Sequence, residues 1–293
     1  MKKTIVSKFG GTSMGSLDAM KKSATLCFER GSDVVVVSAV TGVTDLLLHI
    51  YKAITQNERN LAKELVLKIK EKHQEIHDKV IHSEEDSNYI TALYQELDKE
   101  VANQPPEPSA SFKDHLLSFG ERLSSVYFSI VLKSIVTNRV VMLVDARDLI
   151  ITNSVYGAAT PLAEDIKRAV AHKIFIDEKT LWLTQGFIGR DSKGFTTTLG
   201  RGGSDYSAAL LAEALEATEL EIWTDVSGVF DLDPLKILTA KRFETLDYDE
   251  ALKLALNGAK VIHPGTIFPT KRAKIPVYVS STFNPEMGGT IIR

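Results

Sequence analysis

The chain lacks the features that mark secreted and membrane proteins. It has one cysteine, Cys27, in 293 residues, which excludes an internal disulfide and suits a reducing compartment. No apolar run approaches the roughly 20 residues that a membrane span needs. The apolar stretch behind Met1-Lys2-Lys3 is broken at Ser7 and Lys8, which is too early for a signal peptide. We therefore expect a cytoplasmic protein.

An excess of one charge is also missing. The chain has 35 Lys and Arg against 38 Asp and Glu, a net charge of -3, and 44% of its residues are hydrophobic. This composition is typical of soluble globular domains. It indicates neither a nucleic acid nor a membrane surface as a partner. The length is enough for one large α/β domain or two smaller ones.

Strands and helices alternate from the start of the sequence. Ile5-Val6 leads into a glycine-rich turn, a helix is predicted over 16–29, and Val34–Val37 follow as consecutive β-branched residues. A continuous apolar run of this kind is typical of a strand covered on both faces of a parallel sheet. This segment is therefore predicted to be a βαβ unit.

The rest of the chain continues the alternation. Residues 44–137 are predicted to be mainly helical, interrupted by a turn at 83–88 and a proline-rich loop at 105–109. A further helix is predicted over 204–217, and further strands over 140–144, 181–184, 221–223, 276–279 and 290–292. The pattern predicts an α/β protein with a mostly parallel sheet and helices on both faces.

The turn after the first strand reads Lys8-Phe9-Gly10-Gly11-Thr12-Ser13-Met14-Gly15-Ser16. Gly10 and Gly15 have the spacing of a Walker A phosphate loop, but Ser16 stands where that loop has lysine. The physical elements of a phosphate site are still present. Glycines let backbone N–H groups approach an anion, a helix N-terminus follows, and Lys8 adds a positive charge. An ordinary strand-to-helix turn is the alternative.

A second glycine turn, Gly200-Arg201-Gly202-Gly203-Ser204-Asp205, opens the helix predicted over 204–217. It is not the dinucleotide fingerprint, because Asp205 occupies the position of the third glycine. Ser204 is a favourable N-cap and Asp205 complements the helix dipole, which would explain both residues structurally. That explanation leaves out Arg201, whose planar fork matches a carboxylate or a phosphate.

Six stretches together resemble the aspartokinases, within the amino acid kinase family. They are KFGGTS (8–13), VSAVTGVT (37–44), SFGERLS (118–124), GRGGSD (200–205), WTDV (223–226) and GAKVIHP (258–264). The resemblance covers essentially the whole chain, and six matches in the family's order make it specific. It implies a three-layer αβα sandwich around a mainly parallel sheet, as in the carbamate kinase-like fold.

The resemblance also implies an activity. Members transfer the γ-phosphoryl of MgATP to the side-chain carboxylate of L-aspartate, giving 4-phospho-L-aspartate, which starts the branch toward lysine, threonine and methionine. ATP and Mg²⁺ are the implied cofactors. The implied catalytic residues are Lys8, which bridges donor and acceptor, and Asp205, which orients it. The implied aspartate-binding residues are Thr44, Glu121, Arg201 and Ser204. The implied ATP-binding residues are Lys8, Gly10, Gly11, Thr12, Thr224, Asp225, Phe230, Lys260 and Val261, and no protein-held metal site is implied.

This chemistry is physically reasonable for the residues present. A carboxylate acceptor is ionised at pH 7, since its reference pKa is about 3.9, so no general base is required. The site must instead supply positive charge and alignment. Glu121 can hold the ammonium of an amino acid and Arg201 can form a fork with its α-carboxylate, each bond contributing about 1.5–3 kcal/mol.

The sequence departs from the usual family pattern at Ser227, Phe230 and Leu235, where many members have proline, tyrosine and arginine. Phe230 can pack on the adenine or ribose but has no hydroxyl to donate. We expect one amino acid kinase domain over 1–293, with aspartate bound mainly by 1–200 and ATP mainly by 201–293. No C-terminal ACT regulatory domain is expected.

Several alternatives stay open at this stage. The chain could be another amino acid kinase that phosphorylates glutamate, acetylglutamate or UMP, or a non-catalytic sensor of an amino acid or nucleotide on the same fold. A homo-oligomer is also open. His73 and His77 are four residues apart, but the charge around them favours a solvated helix face over a metal site. Cys27 is expected in the core, and His263 is either structural or close to the nucleotide.

Overall fold

A computed structural model describes residues 3–80, 83–103, 105, 107–232, 236–237, 239–256 and 262–293. The helices are α1 (Leu17–Arg30), α2 (Val43–Thr55), α3 (Arg59–Lys79), α4 (Glu84–Asn103), α5 (Ala110–Ile135), α6 (Ala163–Lys173), α7 (Gly203–Ala214), α8 (Tyr248–Leu256) and α9 (Pro264–Ala273). The strands are β1 (Ile5–Phe9), β2 (Val34–Val37), β3 (Val140–Val144), β4 (Ile151–Thr152), β5 (Thr180–Gln185), β6 (Ile188–Asp191), β7 (Thr196–Thr198), β8 (Glu219–Thr224), β9 (Thr245–Leu246), β10 (Val277–Ser281) and β11 (Gly289–Ile292). None of the helices in these ranges is long and apolar enough to cross a membrane.

The central sheet has eight strands in the order β3-β5-β2-β1-β8-β10-β11-β9. Every neighbouring pair is parallel except β10 with β11, which is antiparallel. The predicted mostly parallel sheet is therefore confirmed. A second, smaller sheet has three strands in the order β4-β6-β7. Its strands have two to four residues, which is too short for hydrophobic periodicity to reveal them.

Two apolar layers cover the two faces of the central sheet. Val35 and Val37 of β2 point into a core formed with α1–α5, whereas Val34 and Val36 point into a core formed with α6–α9. Alternate residues of a strand face opposite sides of a sheet, so the four-valine run serves both cores. The structure confirms the predicted three-layer αβα sandwich.

A buried carboxylate lies at the centre of the sheet. Glu221 of β8 is fully buried and accepts hydrogen bonds from Ser7 Oγ (2.8 Å), Trp223 Nε1 (3.0 Å) and Arg30 Nε (2.6 Å). Ser7 and Glu221 face each other across the β1–β8 pair. Arg30, the last residue of α1, supplies the positive charge. The network joins two central strands to the helix that follows the first glycine turn.

The predicted turn over 83–88 is wrong. Helix α4 begins at Glu84, directly after Ser83. The Ser83 hydroxyl accepts a hydrogen bond from the Asp86 N–H (3.1 Å), and the Asp86 carboxylate accepts one from the Ser83 N–H (3.2 Å). This reciprocal capping starts a helix instead of ending one, and the acidic first turn complements the helix dipole. The described residues of 105–109 are non-helical, as predicted.

The prediction that His73 lies on a solvated face is also wrong. His73 is fully buried on α3 and stacks on Tyr127 of α5 with ring centroids 5.3 Å apart. Its Nδ1 lies 2.8 Å from the Ile69 carbonyl oxygen. Helices α4 and α5 cover this side of α3, and a single sequence does not show that cover. Cys27 is buried, as expected.

We expect His73 to make the stability of the fold depend on pH. Burial lowers its pKa to about 4, below the ordinary value of 6.5, so the unfolded chain binds the proton first as the pH falls. The contribution of neutral, buried His73 to the free energy of unfolding is present above pH 6.5 and is lost as the pH falls from 6.5 to 4. Between about pH 7.5 and 4.5, His73→Leu should lose about 2 kcal/mol less free energy of unfolding than the wild type. Urea unfolding at both pH values measures this, and parallel losses in the two proteins would contradict it.

Candidate active site

A cleft of about 570 Å³ lies where the central parallel strands end. The strands β1, β2 and β8 run in the same direction, so their carboxyl ends meet at one edge of the sheet. Ligands of open α/β sheets bind at this edge. Of the residues assigned roles from the sequence, those that line the cleft are Lys8, Gly10, Gly11, Thr12, Thr44, Glu121, Arg201, Ser204, Asp205, Thr224 and Asp225.

The first glycine turn forms one wall of the cleft. The Gly10 N–H donates to the Trp223 carbonyl oxygen (3.1 Å), which holds the turn against the end of β8. The Thr41 hydroxyl donates to the Gly11 carbonyl oxygen (2.8 Å), which holds it against the loop after β2. A Cβ at Gly11 would lie 3.2 Å from the Ala39 carbonyl oxygen, so this wall is close-packed. Ser16, in the lysine position of a Walker A loop, accepts from the Ala19 N–H and caps α1.

Lys8 and Asp205 form an ion pair at the base of the cleft. Lys8 Nζ on β1 lies 2.6 Å from Asp205 Oδ1 in the first turn of α7. Their side chains are only 9% and 17% exposed. The pair joins the two glycine turns, because Lys8 directly precedes the first turn and Asp205 directly follows the second. The amine is thereby held at a defined place beside the turn at Gly10.

Glu121 brings an unpaired carboxylate oxygen to the cleft. This residue of α5 is buried, and its Oε1 accepts from the Ala39 N–H at 3.3 Å. Its Oε2 is buried and has no hydrogen-bond partner in the described part of the chain. Burial raises the pKa of this carboxyl to about 8. A buried acceptor without a partner, in the wall of a cleft, suits a ligand that brings its own donors and positive charge.

Gly120 allows α5 to approach the loop after β2. A Cβ at Gly120 would lie 2.9 Å from Ala39 Cβ and 3.3 Å from Leu47 Cδ1. The absence of a side chain at this position lets the helix lie close enough for Glu121 to reach the Ala39 N–H.

The second glycine turn presents Arg201 to the cleft. Gly200 and Gly202 have φ of +76° and +72°, which disfavour any side chain. Arg201 between them is exposed and forms no ion pair with a residue of the described ranges. Among the described residues, the cleft is therefore lined both by Arg201, which has no ion pair, and by Glu121, which has an unpaired carboxylate oxygen.

The helix after this turn begins one residue earlier than predicted. Its N-cap is Gly202, so the expectation that Ser204 caps it is wrong. A left-handed glycine sets the start of the helix, and Ser204 lies inside the first turn. A Cβ at Gly186 would lie 2.6 Å from Ser204 Cβ, so the turn after β5 packs directly on α7. Asp205 lies in the first turn, as predicted from the helix dipole.

His263 supports the same turn from the other side. Its Nδ1 accepts from the Gly265 N–H at 3.1 Å and caps α9. A Cβ at Gly202 would lie 2.3 Å from its ring. Burial lowers the pKa of His263, and the charges of Asp205 and Arg201 act on it as well. Of the two roles left open, the contacts show the structural one.

The structure brings only some of the other residues predicted to bind ATP into the cleft. The Thr224 hydroxyl donates to Asp225 Oδ1 at 3.1 Å, and both residues line the cleft. Phe230 is not among the residues that line it and pairs instead with Arg242 in an isolated β-bridge. Lys260 and Val261 lie outside the described residues.

Sequence reasoning did not assign the other residues that line the cleft, among them Ser38, Thr41, Asp45 and Phe187. Ser38 and Thr41 belong to the loop after β2, whose motif carries no assigned role at these positions, and Asp45 lies in the first turn of α2. Phe187 has φ of +67°, and its N–H donates to Ser207 Oγ at 3.0 Å. A bulky residue in this conformation is strained by about 1–3 kcal/mol. Such strain leaves no signal in a single sequence.

Comparison with known proteins gives the family. The sequence profile of the amino acid kinase family matches residues 3–281. The chain therefore belongs to the amino acid kinase family.

Two curated relatives are similar over nearly the whole chain. The lysine-sensitive aspartokinase 3 of Escherichia coli is 36% identical over 301 residues, which cover 100% of this chain and 64% of that protein. The aspartokinase of Chlamydia pneumoniae is 38% identical over 288 residues, which cover 98% and 62%. The chain thus spans a little under two thirds of each relative's length.

Solved structures show the same similarity. Escherichia coli aspartokinase III in complex with aspartate and ADP matches with a TM-score of 0.93 at 36% identity, over 99% of this chain and 64% of that one. The Giardia lamblia carbamate kinase bound to AMP-PNP matches with a TM-score of 0.58 at 13% identity, over 100% and 98%. The second similarity is one of fold alone.

We expect Gly120→Ala to destabilise the protein. Alanine in a helix interior normally stabilises it by up to about 1 kcal/mol relative to glycine. Here the new Cβ would overlap Ala39, so the midpoint of urea unfolding should fall. Ser134→Ala, on the exposed end of α5, is the control and should leave the midpoint unchanged or slightly raised. A higher midpoint for Gly120→Ala would show that the close approach is not a constraint.

Proposed function

We propose that this chain is the catalytic part of an aspartate kinase, which transfers the γ-phosphoryl of ATP to the side-chain carboxylate of L-aspartate. The observation that carries the proposal is a pair of ionisable groups without a partner among the described residues of one cleft, Glu121 Oε2 and Arg201, beside the Lys8–Asp205 ion pair. The similarity to aspartokinases, one of them solved with aspartate and ADP, supports it. Products are 4-phospho-L-aspartate and ADP.

The aspartate side of the cleft recognises a free amino acid. Glu121 Oε2 accepts hydrogen bonds from the α-ammonium, which supplies the donors and the positive charge that this buried oxygen lacks. Arg201 binds the α-carboxylate through its two-pronged fork. Thr44 and Ser204, both half-buried in the cleft wall, bind the amino acid from the adjoining helix starts.

Transfer needs alignment and positive charge. The β-carboxylate attacks phosphorus without losing a proton, since it is ionised at neutral pH. Lys8 lies between the two anions and neutralises charge on the transferring phosphoryl, while Asp205 orients its ammonium. The turn at Gly10, Gly11 and Thr12 holds the phosphates through the backbone N–H groups of Gly11 and Thr12, because the Gly10 N–H already donates to the Trp223 carbonyl oxygen.

The nucleotide side is assigned to Thr224, Asp225, Phe230, Lys260 and Val261. Mg²⁺ would supply further charge neutralisation on the phosphates. In the described residues no group of three or more His, Cys, Asp and Glu could hold a metal. We propose that the nucleotide carries this ion, because Mg²⁺ keeps several waters and binds mainly through substrate phosphates.

The wider assignments follow from the same proposal. Within one kinase domain, residues 1–200 supply Thr44 and Glu121 to the aspartate side, and Arg201 and Ser204 lie just beyond that boundary. Residues 201–293 supply most of the nucleotide side. The reaction is the first step toward lysine, threonine and methionine through diaminopimelate. We assign the protein to the cytoplasm, in keeping with the free buried thiol of Cys27. Assembly into a homo-oligomer is part of the proposal.

A substrate panel tests the function. ADP release is measured with aspartate, glutamate, acetylglutamate and UMP as acceptors, with Lys8→Ala as the inactive control. Release with aspartate alone supports the proposal. Release with another acceptor reassigns the chain to a different amino acid kinase. If ligands bind and none is turned over, the chain is a sensor on a kinase fold.

We expect Arg201→Lys to raise the aspartate KM tenfold or more and to change the ATP KM much less. Lysine keeps the charge but cannot form the two parallel hydrogen bonds, and each decade of affinity corresponds to about 1.4 kcal/mol. Steady-state kinetics with each substrate varied in turn measures both constants. A weaker ATP interaction with unchanged aspartate binding would move Arg201 to the nucleotide side.

We also expect the pH dependence of kcat/KM for aspartate to report Glu121. Its raised pKa of about 8 means that it is protonated in the free enzyme at neutral pH, whereas binding an ammonium requires the ionised form. kcat/KM should therefore rise about tenfold per pH unit up to pH 8, while kcat at saturating aspartate stays flat. Glu121→Gln should lower kcat/KM and remove this slope. A flat wild-type profile between pH 6 and 8 would contradict the assignment.

A further inference from the structure

We propose that Asp114 of α5 is a positioning residue for amino-acid recognition, because it sets the glycine turn that carries Arg201. This inference rests on the proposed function of the cleft. Asp114 is not among the described residues that line the cleft. It acts through the two chain segments whose backbone N–H groups donate to its carboxylate.

The Asp114 carboxylate joins two distant segments. Its Oδ2 accepts from the Gly157 N–H at 2.8 Å and from the Thr198 N–H at 2.7 Å. The residue is fully buried and has no ion pair with a residue of the described ranges. Burial raises the pKa of its carboxyl even though two N–H groups bond to it. Asp114 thus serves as an acceptor for backbone groups and has no cation of its own.

Both segments converge on the turn of Arg201. Thr198 ends β7 two residues before Gly200, and its carbonyl oxygen accepts from the Ala159 N–H at 2.8 Å. A Cβ at Gly200 would lie 3.2 Å from the Gly157 carbonyl oxygen and 3.6 Å from Ala158 Cβ. The segment around Gly157 therefore packs directly on the turn. One carboxylate oxygen fixes the strand that enters the turn and the loop that supports it.

The same helix carries the other end of the amino-acid site. Glu121 lies seven residues after Asp114, which is two helical turns, so both side chains leave α5 on one face. Glu121 contacts the cleft directly, and Asp114 sets the position of Arg201 from the same rigid element. The ammonium and α-carboxylate of a free amino acid are a fixed distance apart. A helix that positions both of their binding groups is therefore selective for that distance.

Kinetics of Asp114→Ala and Asp114→Asn test the inference. Alanine leaves two buried N–H groups unpaired, whereas the amide oxygen of asparagine can still accept from both. We expect the alanine variant to raise the aspartate KM at least tenfold with the ATP KM within twofold, and asparagine to restore the aspartate KM to within about threefold of wild type. If the alanine variant does not fold, Asp114→Glu, which displaces the acceptor by one methylene, should show the same split.

Two further variants separate positioning from general stability. Asp33→Ala removes another buried aspartate that accepts a long-range backbone N–H, from Ile5 at 3.1 Å, at the opposite end of the sheet. It should lower the melting temperature and leave both KM values within twofold.

Asp114→Ala combined with Arg201→Lys should raise the aspartate KM little beyond the worse single variant, since both act through one guanidinium.

The outcomes are distinct. An unchanged aspartate KM in a folded Asp114→Ala or Asp114→Glu protein, an equal rise in both KM values, or additive effects in the double variant would overturn the positioning role. Absence of aspartate-dependent ADP release from the wild type would instead overturn the proposed function. In that case direct titration with aspartate, comparing wild type with Asp114→Ala, decides whether Asp114 positions a binding site, and equal affinities would overturn the inference.

Discussion

The site depends on close contacts between backbone segments at one edge of the sheet. Helix α5 lies against the loop after β2 because Gly120 has no side chain, and the turn after β5 lies against α7 because Gly186 has none. Gly202 makes the third contact, on His263. Each contact fixes an element that carries a charged group of the cleft. Without these approaches the same charges would be present but too far apart to act on one small molecule.

In the proposed function, the selectivity of the cleft comes from two ionisable groups that the fold leaves without a partner. Lys8 has Asp205 as its partner, so its position is set before any ligand arrives. Glu121 has a free buried oxygen, and Arg201 has no ionic partner in the described part of the chain. A zwitterionic ligand satisfies both at once, whereas a ligand with only one of its charges leaves the other group exposed to the desolvation cost. The arrangement thus discriminates by charge pattern as well as by size.

Much of this architecture could be predicted from the sequence, and the failures have physical causes. The four-valine strand and the glycine turns each carry a local signal, so the sandwich and the grouping of Lys8 and Glu121 near one edge followed from pattern and resemblance. Burial of His73 depends on how α4 and α5 pack against α3, which the local hydrophobic pattern does not show. The polar stretch 83–88 predicts a turn, but serine is favoured at helix N-caps as well as in turns, and a single sequence does not distinguish the two. The left-handed conformation of Phe187 is imposed by tertiary contacts and opposes its own preference.

The buried network around Glu221 has an evolutionary consequence. Arg30 supplies a cation, while Ser7 and Trp223 supply neutral donors, all directed at a single carboxylate inside the sheet. Loss of the arginine alone would leave a buried charge uncompensated, yet replacing the whole set by apolar residues of similar volume could be neutral or stabilising. Drift at these positions should therefore be concerted. Among descendants of this sequence, we expect them to be inherited together or exchanged together, with hybrids rare.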